Sequence, residues 1–580
     1  MHTGDLVARE LEAHGVRYVF GLPGEQTLPL YDALRDGGQD IQHVEMRDER
    51  NLPYAALAYS RSSGTTGVLD VTVGPGTAML PVGLLEAERS ATPLVALVSD
   101  VPIGFEPMAE SGAISQGMDQ LSFLSGVTKW RAKARTQEQV VPLVRQAFLE
   151  ATSGRPGPTA VIVPQDVFQQ EVEDEPVDAG SPPPNAGSYP RHRPVPDAAS
   201  LRTAAEMLQE AQRPIVVAGG GVLHSRATGE LIALCDRLNL PVATTLTGKG
   251  SVSENHPLSL GVLGSLGTRA AENAAREADL MVLVGFRSAQ NSTFKWTVPS
   301  ANQRVIHIDI DPTQPGRFLP CDAALVGDAR ETLAALLEVV RDRGEMDPRP
   351  VWLEHVRFWK DEWEALVAEE STSDEVPILP QRVVAELVEA SDQGDVLVSD
   401  ASFASGWAAV YYRAREAGRR VILPRGMAGL GFGLPAGVGT KVACPDQNVF
   451  VLAGDGGFAY SLGELVTLKR YGLKVVSVVL NNRSWGWMEW VAKLNYNKEF
   501  FSLPDVPFAG IAEAMGLRGI RVSRPDDLRA ALDEALEAPE SSVVEVESAV
   551  WEAPIPSYRD ALAEMQGREP AGAFAGNQGG

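Results

Sequence analysis

The stretch from Val449 to Asn482, VFVLAGDGGFAYSLGELVTLKRYGLKVVSVVLNN, carries one carboxylate and one amide at a spacing suited to chemistry. Asp455 lies in the turn Gly454-Asp455-Gly456-Gly457 after an apolar strand, Val449 to Ala453, and Asn482 follows a second apolar strand, Lys474 to Leu480. Between them Leu462, Leu465, Val466 and Leu468 are spaced for the buried face of one amphipathic helix. The unit is β-α-β, and its right-handed crossover sets the carboxyl ends of two parallel strands side by side. Asp455 and Asn482 then meet although 27 positions separate them. Two hard oxygen ligands suit Mg²⁺, which takes the rest from water and phosphate oxygens. The glycines allow close backbone approach, and their N–H groups can hold an anion. A metal-bridged diphosphate is the implied ligand. For the GDG turn alone, an ordinary strand-turn-helix is the competing reading.

The elements that must position these groups follow from length and composition. At 580 residues the chain has room for about three domains, and 44% hydrophobic with 22% charged residues is a globular balance. A net charge of -25 argues against nucleic-acid and anionic-membrane partners, which need a basic surface. Cys235, Cys321 and Cys444 are widely spaced and offer neither a disulfide framework nor a thiolate metal site. The opening MHTGDLVARELEAHGV is amphipathic and unlike a signal peptide, and no apolar run reaches the length of a membrane span. A cytoplasmic protein is expected.

Alternating strand and helix patterns predict an α/β fold of three doubly wound parallel-sheet domains. The first covers 1–172 and is followed by a Pro-, Gly- and acid-rich linker, 173–197. The central domain covers 198–342, a second linker 343–376, and the third domain 377–560. The Gly/Ala-rich tail, 561–580, is expected to be flexible or to order only against a partner or ligand.

GDG followed by NN at this spacing resembles the binding motif of thiamin diphosphate (ThDP). Residues 4 to 560 as a whole resemble ThDP-dependent enzymes of the acetolactate synthase and benzaldehyde lyase group. The resemblance implies a pyrimidine-binding first domain, a central domain and a diphosphate-binding third domain. Each cofactor would lie between two subunits of a homodimer or homotetramer. It implies a metal shell of Asp455, Asn482 and the Ser484 main-chain carbonyl, and a diphosphate held by Gly454, Gly456, Gly457, Ser402 and Phe403. Arg47-Asp48-Glu49 with Ala55-Ala56 and Tyr59-Ser60-Arg61 resembles the family's RHEQ stretch, which places Glu49 at the activating glutamate. Such a carboxyl hydrogen-bonds N1′ of the aminopyrimidine, favours its imino tautomer and so helps remove the thiazolium C2 proton. PRGMAGLGFGLP, 424–435, is similar to the segment that bends the cofactor. There Leu430 props the two rings, the Ala428 carbonyl meets the 4′-amino group and the Leu430 N–H meets N3′.

On the substrate side the resemblance puts Glu25 and Gln26 opposite the reacting carbon and Gln116 at a family active-site glutamine. Trp485, Trp487 and Met488 are candidates for an apolar pocket, with core or interface as the alternative. The chain also departs from its relatives. It has no histidine at Glu25-Gln26 or in the Gln116 loop, where decarboxylases place their acids. Val491, beside Trp490, stands where a tryptophan helps acetolactate synthases choose 2-ketobutyrate. The central domain resembles a flavin-binding one through Gly219-Gly220-Gly221, Thr245 to Gly250, Gly264 to Thr268 and Asp309 to Pro312. Its acidic pair is missing after Gly285-Phe286-Arg287, which leaves FAD and an empty structural domain both open. The expected activity is a ThDP- and Mg²⁺-dependent carboligase that decarboxylates a 2-oxo acid and adds the acyl anion to a second carbonyl. A benzaldehyde-lyase-like C–C lyase or hydrolase acting on hydroxyketones or diketones is the alternative. A non-catalytic ThDP- or flavin-binding subunit is the alternative of another class.

Overall fold

The computed structural model describes residues 1–36, 40–172, 182–183, 186–342 and 348–565. Two compact units result: Met1–His192 with Pro424–Val449 and Ser461–Val475, and Arg193–Leu423 with Phe450–Tyr460 and the rest of the chain from Val476. The first unit contains the strands Tyr18–Leu22, Gln42–Glu45, Gly67–Val71, Leu94–Asp100, Trp130–Lys133 and Pro158–Pro164, β1 to β6. They form one six-stranded sheet in the order β2-β1-β3-β4-β6-β5. Every pair is parallel. β4 and β6 are buried along their whole length, the pattern of parallel strands covered by helices on both faces.

The second unit holds two sheets. Pro214–Ala218, Val242–Thr244, Ser259–Val262, Leu280–Val284, Arg304–Asp309 and Ala323–Val326, β7 to β12, are ordered β12-β11-β10-β7-β8-β9. Val396–Ser399, Val421–Ile422, Val449–Gly454, Val476–Asn481, Arg518–Val522 and Ser542–Glu547, β13 to β18, are ordered β14-β13-β15-β16-β18-β17. The α/β class and three parallel sheets match the sequence expectation.

Several local expectations need revision. The segment 343–376, read as a linker, contains the 21-residue helix Pro350–Glu370. Its buried Trp352, Val356, Trp359 and Trp363 recur at helical spacing, a stripe hidden in the sequence by the charged residues around it. Of the linker 173–197, residues 173–181 and 184–185 lie outside the described residues. Tyr189, however, is buried and donates its hydroxyl hydrogen to the Ser60 carbonyl at 3.0 Å. Of the tail 561–580, residues 566–580 lie outside the described residues, while 561–565 complete the helix Pro556–Met565. Pro424–Val449 and Ser461–Val475, inside the third domain by chain order, belong to the compact unit built on β1 to β6. The reason is close packing of the helix Gly433–Ala443 on the helix Leu52–Ser63: a Cβ at Gly439 would stand 1.9 Å from the Ala55 carbonyl oxygen.

The single helix expected after the GDG turn is also revised. It is two helices, Asp455–Ala459 and Glu464–Tyr471. The helical phase restarts at Glu464, which leaves Val466 41% exposed and turns Glu464, Leu465, Thr467 and Leu468 inward.

Candidate active site

All strands of the first sheet run the same way, so their carboxyl ends share one edge, where α/β proteins bind ligands. β1 has β2 on one side and β3 on the other, which opens a crevice between the loops that follow. Glu25 and Gln26 stand in the turn Glu25–Thr27 after β1. Glu25 is exposed, and Gln26 accepts a hydrogen bond from the Thr72 hydroxyl at 2.9 Å. Glu49 opens the turn Glu49–Asn51 after β2, capped by Asp48, whose carboxylate accepts from the Arg50 N–H at 2.9 Å. The Glu49 carboxylate is half-buried and faces Gly76, where a Cβ would stand 3.6 Å from its Oε1 and 2.7 Å from the Val71 side chain. Gln116 is exposed, and its backbone lies against Gly74 so closely that a Cβ there would be 2.2 Å from the Gln116 carbonyl oxygen. The first sheet thus brings the loops of Glu25, Gln26, Glu49 and Gln116 to one edge.

Three residues that sequence reasoning missed hold this edge. Gln120 is buried; its oxygen accepts from the Thr77 hydroxyl and its amide donates to the Ser99 carbonyl at 2.9 Å, tying the Gln116 loop to the strand ends. Glu464 is buried under the Glu49 turn, accepting from the Asn51 amide at 2.7 Å, the Thr467 hydroxyl at 2.6 Å and the Arg47 N–H at 3.2 Å. Burial pushes its carboxyl above the usual range against the pull of those donors. Glu86, in the helix Pro81–Arg89, is fully buried and accepts hydrogen bonds from the backbone of residues 425 to 428. The one signal in the sequence was a carboxylate at a core register of an otherwise apolar helix face.

Ala428 and Leu430 belong to the same unit, in the loop before the helix Gly433–Ala443. Gly429 lies on Tyr54, with room for no Cβ: its position is 2.3 Å from the Tyr54 hydroxyl oxygen. Tyr54 in turn meets Phe432 edge-on at 5.2 Å. Leu430 is half-buried.

The third sheet gathers the second group. β15 and β16 are parallel neighbours with Gly454 opposite Leu480, so Asp455 and Asn482 leave adjacent strand ends as their spacing implied. Asp455 is buried, and its Oδ1 accepts from the Gly456 N–H at 2.8 Å. Its Oδ2 is buried with no hydrogen-bond partner. Burial pushes this carboxyl up to about 6, although the N–H groups of Gly456, Arg483 and Ser484 pull it down. An orphaned carboxylate oxygen that resists ionisation is the environment a cation would relieve. Asn482 is half-buried and its side-chain oxygen accepts from the Ser484 N–H at 3.1 Å. A Cβ at Gly454 would meet nothing within 4 Å, so the strand end opens onto free space. These residues fit a divalent cation and a diphosphate.

The neighbouring residues are more constrained. Asn481, the first of the two asparagines, donates to the buried Glu545 carboxylate at 2.9 Å and so belongs to the scaffold. Gly457 faces Asp400, with a Cβ position 3.2 Å from its carboxyl. Ser402 precedes the helix Phe403–Val410, and Phe403 packs against Trp487 at 5.3 Å. Trp485 covers Gly456, whose Cβ position is 2.5 Å from the indole ring. Met488 is 47% exposed, whereas Trp490 is buried against Trp551 and Tyr558. Gln116, Ser402, Ala428 and Arg483 all have left-handed backbones, with φ of 66°, 66°, 54° and 55°.

Among the described residues no helix is long and apolar enough to cross a membrane. In the central domain several of the glycines read as a flavin cradle lie against other backbone. A Cβ at Gly219 would stand 2.1 Å from the Gly285 carbonyl oxygen, and one at Gly250 2.5 Å from that of Gly418. Lys249 is buried and bonds Glu254 at 2.5 Å and the Ala409 carbonyl at 3.1 Å.

Comparison with known proteins agrees with this layout. Residues 1–123 match the thiamine pyrophosphate enzyme N-terminal TPP binding domain, 201–336 its central domain, and 400–546 its C-terminal TPP binding domain. The probable acetolactate synthase large subunit of Methanocaldococcus jannaschii is 34% identical over 94% of this chain and 92% of its own. The acetolactate synthase large subunit of Parasynechococcus marenigrum is 33% identical over 92% and 86%, respectively. The acetolactate synthase isozyme 3 large subunit of Escherichia coli is 32% identical over 92% of both. The chain belongs to the thiamine pyrophosphate enzymes, as a ThDP-dependent member of the group that contains the acetolactate synthase large subunits.

Proposed function

We propose that this enzyme is an acetolactate synthase-like carboligase that decarboxylates a 2-oxo acid and adds the acyl fragment to a second carbonyl compound. The similarity to acetolactate synthase large subunits over most of the chain supports the reaction, and Asp455 Oδ2, buried without a partner where β15 and β16 end side by side, supports the cofactor site it needs. Asp455, Asn482 and the Ser484 carbonyl would hold Mg²⁺, and Gly454, Gly456, Gly457, Ser402 and Phe403 would surround the diphosphate. When bound, ThDP supplies the carbon nucleophile and the electron sink for loss of carbon dioxide. Glu49 holds a proton at the aminopyrimidine nitrogen. Ala428 and Leu430 would hold the cofactor's two rings through the 428 carbonyl, the 430 N–H and the Leu430 side chain. Glu25, Gln26 and Gln116 face the reacting carbon from the loops after β1 and β4; Trp485, Trp487 and Met488 bound the substrate space.

Each cofactor lying between two subunits is part of this proposal, which makes a dimer the smallest active species and a tetramer compatible with it. A cytoplasmic location is part of the same proposal. Gly219 and Gly250 lie against other backbone and Lys249 bonds Glu254, and the proposed reaction assigns no step to a flavin. The test is to incubate the protein, ThDP and Mg²⁺ with a panel of 2-oxo acids and 2-hydroxyketones and follow products by mass spectrometry. Carbon dioxide release with a coupled hydroxyketone or acetohydroxy acid is expected. Cleavage of a hydroxyketone without decarboxylation would replace the carboligase reading with a lyase.

A further inference from the structure

We infer that Glu86 is the positioning residue for the cofactor-bending segment. Its two carboxylate oxygens accept from four consecutive backbone donors. Oε1 takes the N–H groups of Arg425 at 2.9 Å and Gly426 at 2.7 Å. Oε2 takes those of Met427 at 2.6 Å and Ala428 at 3.0 Å. Glu86 is 0% exposed, so these charge-assisted bonds are made away from water. The segment lies directly on the helix that carries Glu86: a Cβ at Gly426 would be 2.6 Å from the Glu86 carbonyl oxygen. The bond from its N–H to Oε2 anchors Ala428, whose φ is 54°, at the start of the turn that carries its carbonyl. That carbonyl and the Leu430 N–H are the groups assigned to the pyrimidine ring, so the inference rests on the proposed cofactor reading.

A carboxylate suits this place for a reason of valence. It is acceptor-only and offers both oxygens to donors, whereas an isosteric glutamine has one oxygen and turns an NH₂ group towards two N–H groups that can only donate. Glu86→Gln keeps the volume, and Glu86→Asp keeps the charge. Amide hydrogen exchange of the cofactor-free protein, read by mass spectrometry over residues 425 to 428, reports the bonds directly. ThDP titration by tryptophan fluorescence and the near-ultraviolet circular dichroism of the bound aminopyrimidine report the alignment. In Glu86→Gln, exchange at these amides is expected to rise at least about 10-fold, with a changed dichroism band and turnover lower by about 100-fold, the scale of a 1 Å misplacement. Glu86→Asp should recover part of all three. Unchanged exchange in Glu86→Gln overturns the inference, as does raised exchange with the dichroism and ThDP affinity of the wild type. Leu430→Ala separates the two levels. If it leaves ThDP affinity and turnover intact, the cofactor reading of the segment fails and the inference falls with it, whatever the exchange shows.

Discussion

The first and third sheets have the same strand order when each is counted from its own first strand, 2-1-3-4-6-5, yet their carboxyl edges are furnished differently. The first presents a half-buried glutamate and exposed amide and carboxyl side chains on loops held by Gln120 and Glu464. The third presents a buried, orphaned aspartate beside an asparagine. On the proposed reading one scaffold would serve proton handling in one place and cation binding in another, with loop residues deciding which. In the first sheet the buried carboxylates accept several hydrogen bonds and work as struts. In the third, Asp455 keeps one buried oxygen without a donor, the feature on which its proposed role as a ligand rests.

Substitutions can break this contrast. Glu49→Gln is expected to have the largest effect, lowering turnover by about 10²- to 10⁴-fold, the range of proton-transfer catalysis, with ThDP still bound. Steady-state kinetics alongside ThDP titration checks it; full activity would remove Glu49 from its role. Asp455→Asn should weaken Mg²⁺-dependent ThDP binding by on the order of 100-fold, as loss of one charged oxygen ligand from a hard cation demands, read by fluorescence titration against Mg²⁺. Chelation by EDTA should release ThDP from the wild type and change little in the variant.

The aspartate's pKa sharpens the contrast further. Because burial raises it to about 6, proton and cation compete for the same oxygens below that value. Mg²⁺ affinity should be full above pH about 6 and fall about tenfold per pH unit beneath it. A flat affinity from pH 7 to 5 by calorimetry would contradict this. The smallest effect on the site belongs to Asn481→Ala. Its partner Glu545 loses one buried donor, which should cost about 1–3 kcal/mol of stability in denaturant melts while Mg²⁺ affinity stays that of the wild type. Asn482→Ala should show the reverse pattern.

Much of this architecture could be read from the chain because parallel strands buried on both faces are continuous apolar runs. The strands expected at 449–453 and 474–480 are found as Val449–Gly454 and Val476–Asn481. The GDG and NN groups were legible for a related reason, since polar residues directly after such runs must sit at a sheet edge. The partners of Glu86 and Glu464 were not legible. A carboxylate within a helix pattern looks like part of a solvated face until the backbone hundreds of positions away that it accepts from is known. The helix Pro350–Glu370 was hidden because its buried tryptophans are diluted by charges, and Val466 was misassigned because a break in the chain's winding resets the helical phase. Asn481 and Asn482, adjacent in sequence, are separated by strand alternation, which turns Asn481 towards Glu545.

The four left-handed residues Gln116, Ser402, Ala428 and Arg483 give this enzyme a reserve of unused stability. Each position costs on the order of 1–3 kcal/mol in a non-glycine residue. Replacement by glycine forfeits only about 0.4–1 kcal/mol through the looser unfolded chain. Glycine at these positions should therefore raise the melting temperature while loosening loops that the proposed reading gives to the reactants, so selection for heat resistance alone would drive the protein towards a sturdier and slower catalyst.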